Sequence, residues 1–135
     1  MKNIWTNVSL SFAAGSLGAL ANSVVLWIFG AVGINTALGV SIAPTLTTGF
    51  LYPRIVWGGL WGFLFLLPIL PNSISLRGLL FSLGPTLVQL LVVFPFKAGK
   101  GFFGLGLGLL TPLFVVFFNA VWGVVASYWY EYSKR

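Results

Sequence analysis

Long apolar runs separated by isolated charges are the feature that most constrains what this chain can fold into. Among its 135 residues there are only seven Lys or Arg and a single acidic residue, Glu131. A soluble domain carries roughly 25% charged residues, because it must present a polar shell to water. Here charged residues make up 6% of the chain and hydrophobic residues 59%. Most of the surface is therefore predicted to face lipid.

The continuity of the apolar runs predicts an all-α, polytopic membrane helix bundle. A membrane-spanning helix needs ~20 apolar residues, whereas the strands of a membrane barrel are ~10 residues long and alternate in polarity. The runs in this chain are long and unbroken, which favours helices and a single integral membrane domain over residues 1–135. The predicted spans are about 8–34, 54–70, 78–96 and 111–130.

The stretch from Asn35 to Leu70 is too long for one membrane helix. At ~1.5 Å per residue it would extend over about 54 Å, whereas the hydrocarbon core is ~30 Å thick. Pro53 is the predicted break, because proline removes a backbone donor and clashes with the preceding turn. Residues 36–52 are then either an interfacial or re-entrant segment before the second span, or a short fifth span.

Small residues recur on one side of several predicted spans. In lipid, such faces let helices approach closely and pack by van der Waals contact. The second span has Gly58 and Gly62, and the fourth has Asn119, Gly123 and Ser127 at steps of four residues. The face on the first span consists of Ser11, Ala14, Gly15, Gly18, Ala19, Asn22 and Ser23.

Two short sequences recur along the chain. Ser16-Leu17-Gly18 is repeated at 82–84, and Trp61-Gly62 is repeated at 122–123. One interpretation is a duplicated helical hairpin, with halves related by an axis along the membrane normal. The other is chance, because matches this short arise easily in sequence rich in Gly and Leu.

Arg54 is the charge embedded most deeply in apolar sequence. An arginine at the bilayer centre costs ~2.5–3.5 kcal/mol, so it should lie near an interface or face protein. With Arg54 at a helix start, free backbone N–H groups and the guanidinium would together suit an anion. Lys97 and Lys100 are predicted to emerge on the same membrane face. The three residues form a candidate site for an anion or a lipid headgroup, and simple contact with lipid phosphates is the alternative.

Three amides fall near the middle of three different spans: Asn22, Gln89 and Asn119. An amide in hydrocarbon prefers a hydrogen-bonding partner, and interhelical hydrogen bonds contribute ~0.6–2 kcal/mol each. One interpretation is a structural cluster that fixes the relative positions of the helices. The other is a polar binding site in the middle of the membrane.

Trp57, Trp61 and Phe65 follow Arg54 and are spaced four residues apart. This spacing places the three aromatic side chains on one helical face, next to the face that carries Gly58 and Gly62. The aromatic face is predicted to be an interaction surface for lipid, another subunit or a hydrophobic ligand.

The residue types argue against catalysis and bound metal. The chain has no Cys and no His, so thiolate and imidazole ligands are missing, and one carboxylate cannot form a magnesium cage. General acid–base catalysis usually needs His, Asp or Glu beside the reacting group. We therefore predict a protein that is not an enzyme and has no metal or cofactor. Because the basic residues stand singly between apolar runs, nucleic-acid binding is not expected either.

These patterns favour a small transporter- or channel-like protein with an anion-attracting basic mouth. It is expected in a cell membrane, either an inner or a plasma membrane, as a homo-oligomer or with a membrane partner subunit. The alternatives are an accessory or assembly subunit of a larger membrane complex, and a lipid-binding membrane protein.

Overall fold

The computed structural model describes residues 4–69 and 72–133, and within these ranges every regular element is helical. α3 continues directly as a 3₁₀ helix over Gly62–Leu66, and α4 continues as a π-helix over Gln89–Lys97. The five α-helices are α1 (Ile4–Ala31), α2 (Ile34–Ala37), α3 (Thr48–Trp61), α4 (Ile74–Val88) and α5 (Thr111–Ser133). The predicted all-α class is confirmed.

Three helices in the described residues are long and apolar enough to cross a membrane: Ile4–Ala31, Ile74–Lys97 and Thr111–Ser133. They correspond to the first, third and fourth predicted spans, with ends that shift by a few residues. This agrees with the predicted membrane class. The second predicted span corresponds to α3 and its 3₁₀ extension, and its predicted end at Leu70 lies outside the described residues.

The long helices pack side by side in the order α3, α1, α5, α4, and consecutive members are close-packed. α3 and α4, at the two ends of this row, have no comparable packing against each other within the described residues. At the first end of the bundle lie the start of α1 and the end of α5. At the second end lie the segments 32–47 and 98–110, which connect the helices. The bundle is therefore closed on three sides and open between α3 and α4.

Glycine brings α1 and α3 into backbone contact. A Cβ added at Gly15 would lie 2.2 Å from the Gly58 carbonyl oxygen, and one at Gly62 would lie 2.3 Å from the Ser11 carbonyl oxygen. All seven members of the predicted small-residue face on α1 are buried. The close-packing role predicted for this face and for Gly58 and Gly62 is confirmed.

α4 and α5 cross in the same way at Gly78 and Gly123. A Cβ on Gly78 would meet the Gly123 carbonyl oxygen at 2.4 Å, and a Cβ on Gly123 would meet the Gly78 oxygen at 2.1 Å. One step along α5, the Ser127 hydroxyl donates to the Ile74 carbonyl at 2.7 Å. Asn119, Gly123 and Ser127 are all buried, as the predicted packing face requires.

The two helical hairpins exchange equivalent contacts. Gly18 of α1 faces Trp122 of α5, with a Cβ 3.0 Å from the indole, and Gly84 of α4 faces Trp61 of α3 at the same distance. These are the glycines and tryptophans of the repeated sequences. The two contacts match under the repeat, but α1 packs closely against α5 whereas α3 and α4 have no comparable packing in the described residues, so the duplication stays a prediction.

The predicted break at Pro53 is wrong, because the chain bends earlier. α3 begins at Thr48, where the Thr47 hydroxyl accepts a hydrogen bond from the Phe50 amide at 3.2 Å, and Pro53 lies inside the helix. Threonine is common at the N-cap because its hydroxyl can accept a hydrogen bond from an amide in the first turn of the helix. Pro53 removes only one helical hydrogen bond, which its helix tolerates. Arg54 is consequently the seventh residue of α3 and not its first.

The segment before α3 does not form another long helix. It contains the four-residue α2 and then extended chain up to Thr47, so a fifth helical span over residues 36–52 is wrong. Asn35 and Val40 are fully buried here, and the Asn35 amide donates to the Ile42 carbonyl at 2.7 Å. The Ser41 amide donates to the Leu107 carbonyl at 2.8 Å, which joins the two segments at the second end.

Replacement of Gly62 by alanine is expected to destabilise the bundle. The added Cβ meets rigid backbone of α1, and overpacking of this kind costs ~1–3 kcal/mol. Thermal unfolding of the purified protein in mild detergent should show a lowered midpoint for Gly62→Ala.

Gly49→Ala is the matched control on the same helix. A Cβ at Gly49 has only the Thr47 hydroxyl within reach, at 3.9 Å, and alanine is the better helix former. This variant should unfold at or slightly above the wild-type temperature. Equal midpoints for the two variants would contradict the close crossing of α1 and α3.

Candidate functional site

A cavity of about 580 Å³ fills the open side of the bundle between α3 and α4. Its floor is formed by α1 and α5, and its walls are formed by α3 and by α4 with the π-helix. The lining residues are Ala19 and Asn22 of α1; Pro53, Arg54, Trp57, Gly58 and Trp61 of α3; Pro85, Val88, Gln89, Val92, Val93 and Lys97 of the opposite wall; and Asn119 and Trp122 of α5. The volume lies within the ~300–1,000 Å³ typical of small-molecule sites.

Arg54 reaches across this cavity wall to α1. Its Nε donates to the Ser23 hydroxyl at 2.9 Å, and its Nη2 donates to the Asn22 side-chain oxygen. The guanidinium carbon lies 5.0 Å from the centre of the Phe50 ring. Its second amino group, Nη1, donates to no atom of residues 4–69 and 72–133. The guanidinium is therefore held in position with donors still free.

The partners of Arg54 are all neutral. The chain has one acidic side chain, Glu131, which lies about 18 Å further along α5 than the cavity residue Asn119, at ~1.5 Å per residue. Arg54 is partly buried, and even partial burial of a cation without a counter-charge is costly, since neutral groups replace only part of its hydration. The site thus has an unbalanced positive charge that an anion would complement.

The amides form a hydrogen-bonded belt that crosses the bundle. Asn22 of α1 donates to the Phe118 carbonyl of α5 at 2.6 Å. The neighbouring Asn119 donates to the Thr86 hydroxyl of α4 at 3.0 Å and to the Gln89 side-chain oxygen at 3.4 Å. Arg54 extends the belt to α3 through Asn22. The belt therefore links all four long helices.

All three predicted amides also line the cavity, so the two interpretations of the cluster are compatible. The belt holds the helices in relative position, as the structural interpretation requires. Its cavity-facing members place polar groups beside Arg54, as the binding-site interpretation requires.

The π-helix forms the wall opposite Arg54. Its wide turns bring Gln89, Val92, Val93 and Lys97 to the cavity. Pro95 lies within this segment and lacks the amide that an α-helical turn would use. π-helical turns occur frequently at functional sites. Lys97 joins Arg54 at the cavity, as predicted, whereas Lys100 lies outside the lining in the exposed segment that follows.

The predicted aromatic face is divided by the structure. Trp57 and Trp61 line the cavity and contact each other edge to face, with ring centres 6.0 Å apart. The indole N–H of Trp61 is buried and has no hydrogen-bond partner among the described residues. Phe65 is only 1% exposed and packs against Phe81 in the bundle core. Phe65 is therefore a core residue and does not belong to an interaction surface.

The helix start contributes less than the sequence predicted. Because α3 begins at Thr48, its free first-turn N–H groups lie almost two turns before Arg54. The expected combination of helix-terminal amides with the guanidinium is wrong. The charge of the site comes from the Arg54 and Lys97 side chains alone.

Arg77 is a buried cation whose role the sequence did not reveal. It is 7% exposed and donates to the carbonyls of Phe65 and Leu67, both at 2.6 Å, and of Ile69 at 3.0 Å. The Phe65 carbonyl belongs to the last turn of the 3₁₀ helix and the other two follow its end, where a cation also interacts favourably with the helix dipole. Arg77 thus caps this helix at the first end of the bundle and lies outside the cavity.

Comparisons with protein-family models, with curated proteins and with solved structures found no match for this chain.

A double-mutant cycle between Asn22→Ala and Arg54→Ala should measure their coupling. Removal of either residue breaks the hydrogen bond that the two share, so the two effects on the free energy of unfolding should not add. Hydrogen bonds to charged groups contribute ~1.5–3 kcal/mol, and we expect a coupling of that size. Unfolding in mixed detergent micelles provides the measurement.

The control cycle pairs Arg54→Ala with Ser127→Ala, whose hydroxyl bonds to Ile74 on the α4–α5 side. Effects at such separated sites should add to within ~0.5 kcal/mol. Additive effects for Asn22 and Arg54 would contradict the hydrogen-bonded belt.

Proposed function

We propose that this chain is an integral membrane protein with four spans, the second formed by α3 and its 3₁₀ extension. Fourteen α-helical residues at ~1.5 Å and five 3₁₀ residues at ~2.0 Å give a length of about 31 Å, close to the ~30 Å hydrocarbon core. Residues 34–47 would then lie at the membrane interface. The buried part of this segment would be re-entrant, which means that it enters the membrane and returns to the same face. The host membrane would be an inner or plasma membrane.

The proposed activity is the binding of an anion in the cavity beside Arg54, as part of a small transporter- or channel-like protein. The observation that carries the proposal is a partly buried guanidinium that lines a cavity, retains free donors and has only neutral protein partners. Electrostatic interactions are stronger in such a low-dielectric site than in water. A bound carboxylate, phosphate or halide would balance the charge and accept the remaining hydrogen bonds.

Lys97 would act as the outer cation of this site. It is exposed at the second end of the bundle and still lines the cavity. A flexible ammonium at the entrance attracts anions from water, whereas the planar, anchored guanidinium of Arg54 would hold them. Two cations at different depths would let an anion enter and leave the cavity in two steps.

Binding is favoured over catalysis by the chemistry of the lining. The lining residues are apolar side chains, tryptophans, three amides and two cations, and none of them is a carboxylate, His or Cys. Such a set can bind and orient an anion but lacks the usual groups for general acid–base or nucleophilic chemistry. We therefore propose that the protein is not an enzyme.

Transport would require more than one copy of the chain. Four helices enclose little space, and the cavity here is open on one side between α3 and α4. A homo-oligomer, or a partner subunit against this side, would complete a pathway.

Tryptophan fluorescence tests the anion site directly, because Trp57, Trp61 and Trp122 all line the cavity. Iodide, an anionic quencher, should quench wild-type fluorescence more strongly than neutral acrylamide does at equal concentration. Arg54→Gln should reduce the apparent iodide affinity about tenfold or more, since a hydrogen bond to a charged group contributes ~1.5–3 kcal/mol. Lys97→Gln should reduce it up to about fivefold, as expected for an exposed charge worth ~0.2–1 kcal/mol.

Lys100→Gln is the charge-matched control, because Lys100 lies at the same end of the bundle and outside the cavity lining. It should leave iodide quenching unchanged. An equal loss in all three variants would indicate a general surface-charge effect and contradict the site. Iodide uptake into protein-containing liposomes then tests transport, and no uptake above protein-free liposomes would reject it.

A further inference from the structure

The cavity has a charged end and an apolar end. Arg54 and Lys97 lie toward the second end of the bundle, together with Gln89. Trp61 is two helical turns further along α3, about 10 Å away at ~1.5 Å per residue. The walls at that end are formed by Trp61, Trp122 and Pro85. The charged and amide side chains of the lining thus lie toward the second end of the bundle, and the opposite end of the lining has only apolar residues and tryptophans.

A bare inorganic anion would use only part of this space. At ~30 Å³ per water molecule, about 580 Å³ corresponds to roughly 19 waters, far more than one ion displaces. The remainder of the volume is bounded by apolar side chains. Removal of these side chains from water by a ligand would lower the free energy of the complex. The complementary ligand would carry an apolar part along with its anionic group.

The open side of the cavity leads outward between two apolar helices. Val92 on the π-helix is 51% exposed and Trp57 on α3 is 52% exposed, and both line the cavity at this opening. In a bilayer this opening would face the hydrocarbon of the membrane, so that a molecule could enter sideways.

The direction of the cavity matches the direction of a membrane lipid. Its cationic end lies toward one end of the bundle, where headgroups would be, and its apolar end lies toward the middle of the helices, where acyl chains would be. A molecule from that leaflet could therefore enter without turning over. The apolar end would contribute nothing to the binding of a bare ion that arrives from water.

We propose that the ligand is a single-chain amphiphilic anion, with a carboxylate or phosphate monoester head, that enters from the bilayer through the gap between α3 and α4. The head binds Arg54 and Lys97, and the chain lies along Trp57 and Trp61. This inference rests on the proposed anion site and adds the class and source of its ligand.

The test uses the full chain in nanodiscs of neutral phosphatidylcholine. The probes are laurate brominated at mid-chain and lauryl alcohol brominated at the same position, because bromine quenches nearby tryptophan. The two probes share an apolar chain and differ in the charge of the head. The carboxylate should quench the wild-type protein at a concentration in the disc at least tenfold lower than the alcohol requires.

Arg54→Gln should remove this preference and leave quenching by the alcohol unchanged. Lys97→Gln should also weaken the preference for the carboxylate. Because Lys97 is exposed, this variant is expected to fold even if Arg54→Gln does not, and it then serves as the test. Val92→Phe narrows the opening without touching either cation. It should weaken laurate quenching severalfold and weaken iodide quenching much less, because iodide is small enough to pass a narrowed opening.

Competition by soluble anions separates the two possible sources of the ligand. Acetate and inorganic phosphate in hundredfold excess should fail to displace the brominated laurate. If either displaces it fully, or if Val92→Phe has no effect, the amphiphile proposal is overturned and a soluble-anion site stands. If neither cation variant alters quenching by laurate or by iodide, both proposals are overturned.

Discussion

A guanidinium inside an apolar bundle must find polar partners, and the partners of Arg54 connect the whole structure. Asn22 accepts from Arg54 and donates to the α5 backbone at Phe118, and Asn119 continues the connection to α4. Where lipid surrounds helices there is no hydrophobic drive to bring them together, so packing and interhelical hydrogen bonds carry the specificity. The belt supplies that specificity at one level of the bundle, and it is also the polar part of the cavity.

The glycine crossings explain why the cavity lies where it does. Backbone contact at Gly15 and Gly62 fixes α3 against α1, and contact at Gly78 and Gly123 fixes α4 against α5. Each hairpin is therefore tight and has little freedom to widen. The hairpins pack against each other through α1 and α5, where Gly18 leaves room for the Trp122 side chain. On the opposite side Gly84 leaves room for Trp61, but α3 and α4 separate beyond this contact.

The two interfaces between the hairpins differ. Between α1 and α5 the helices are packed, and Asn22 donates to the Phe118 backbone. Between α3 and α4 there is no comparable packing in the described residues, and Arg54 and Gln89 line the cavity there. One interface therefore contains the structural part of the belt, and the other contains the part that lies beside the cavity.

Composition and spacing alone determined the membrane class, the all-helical fold and the small-residue faces, because these depend on solvent and on helical periodicity. They also selected Arg54, Lys97 and the three amides, since such groups are unusual in apolar sequence.

The tertiary structure decided what the sequence could not. Thr47, rather than Pro53, sets the start of α3, because a cap stabilises a helix that one proline only weakens. Phe65 lies in the core and Arg77 caps a helix, because the turn between α3 and α4 brings distant carbonyls and rings together. That Arg54 binds Asn22 beside an open cavity follows from the packing of four helices, which no local pattern encodes.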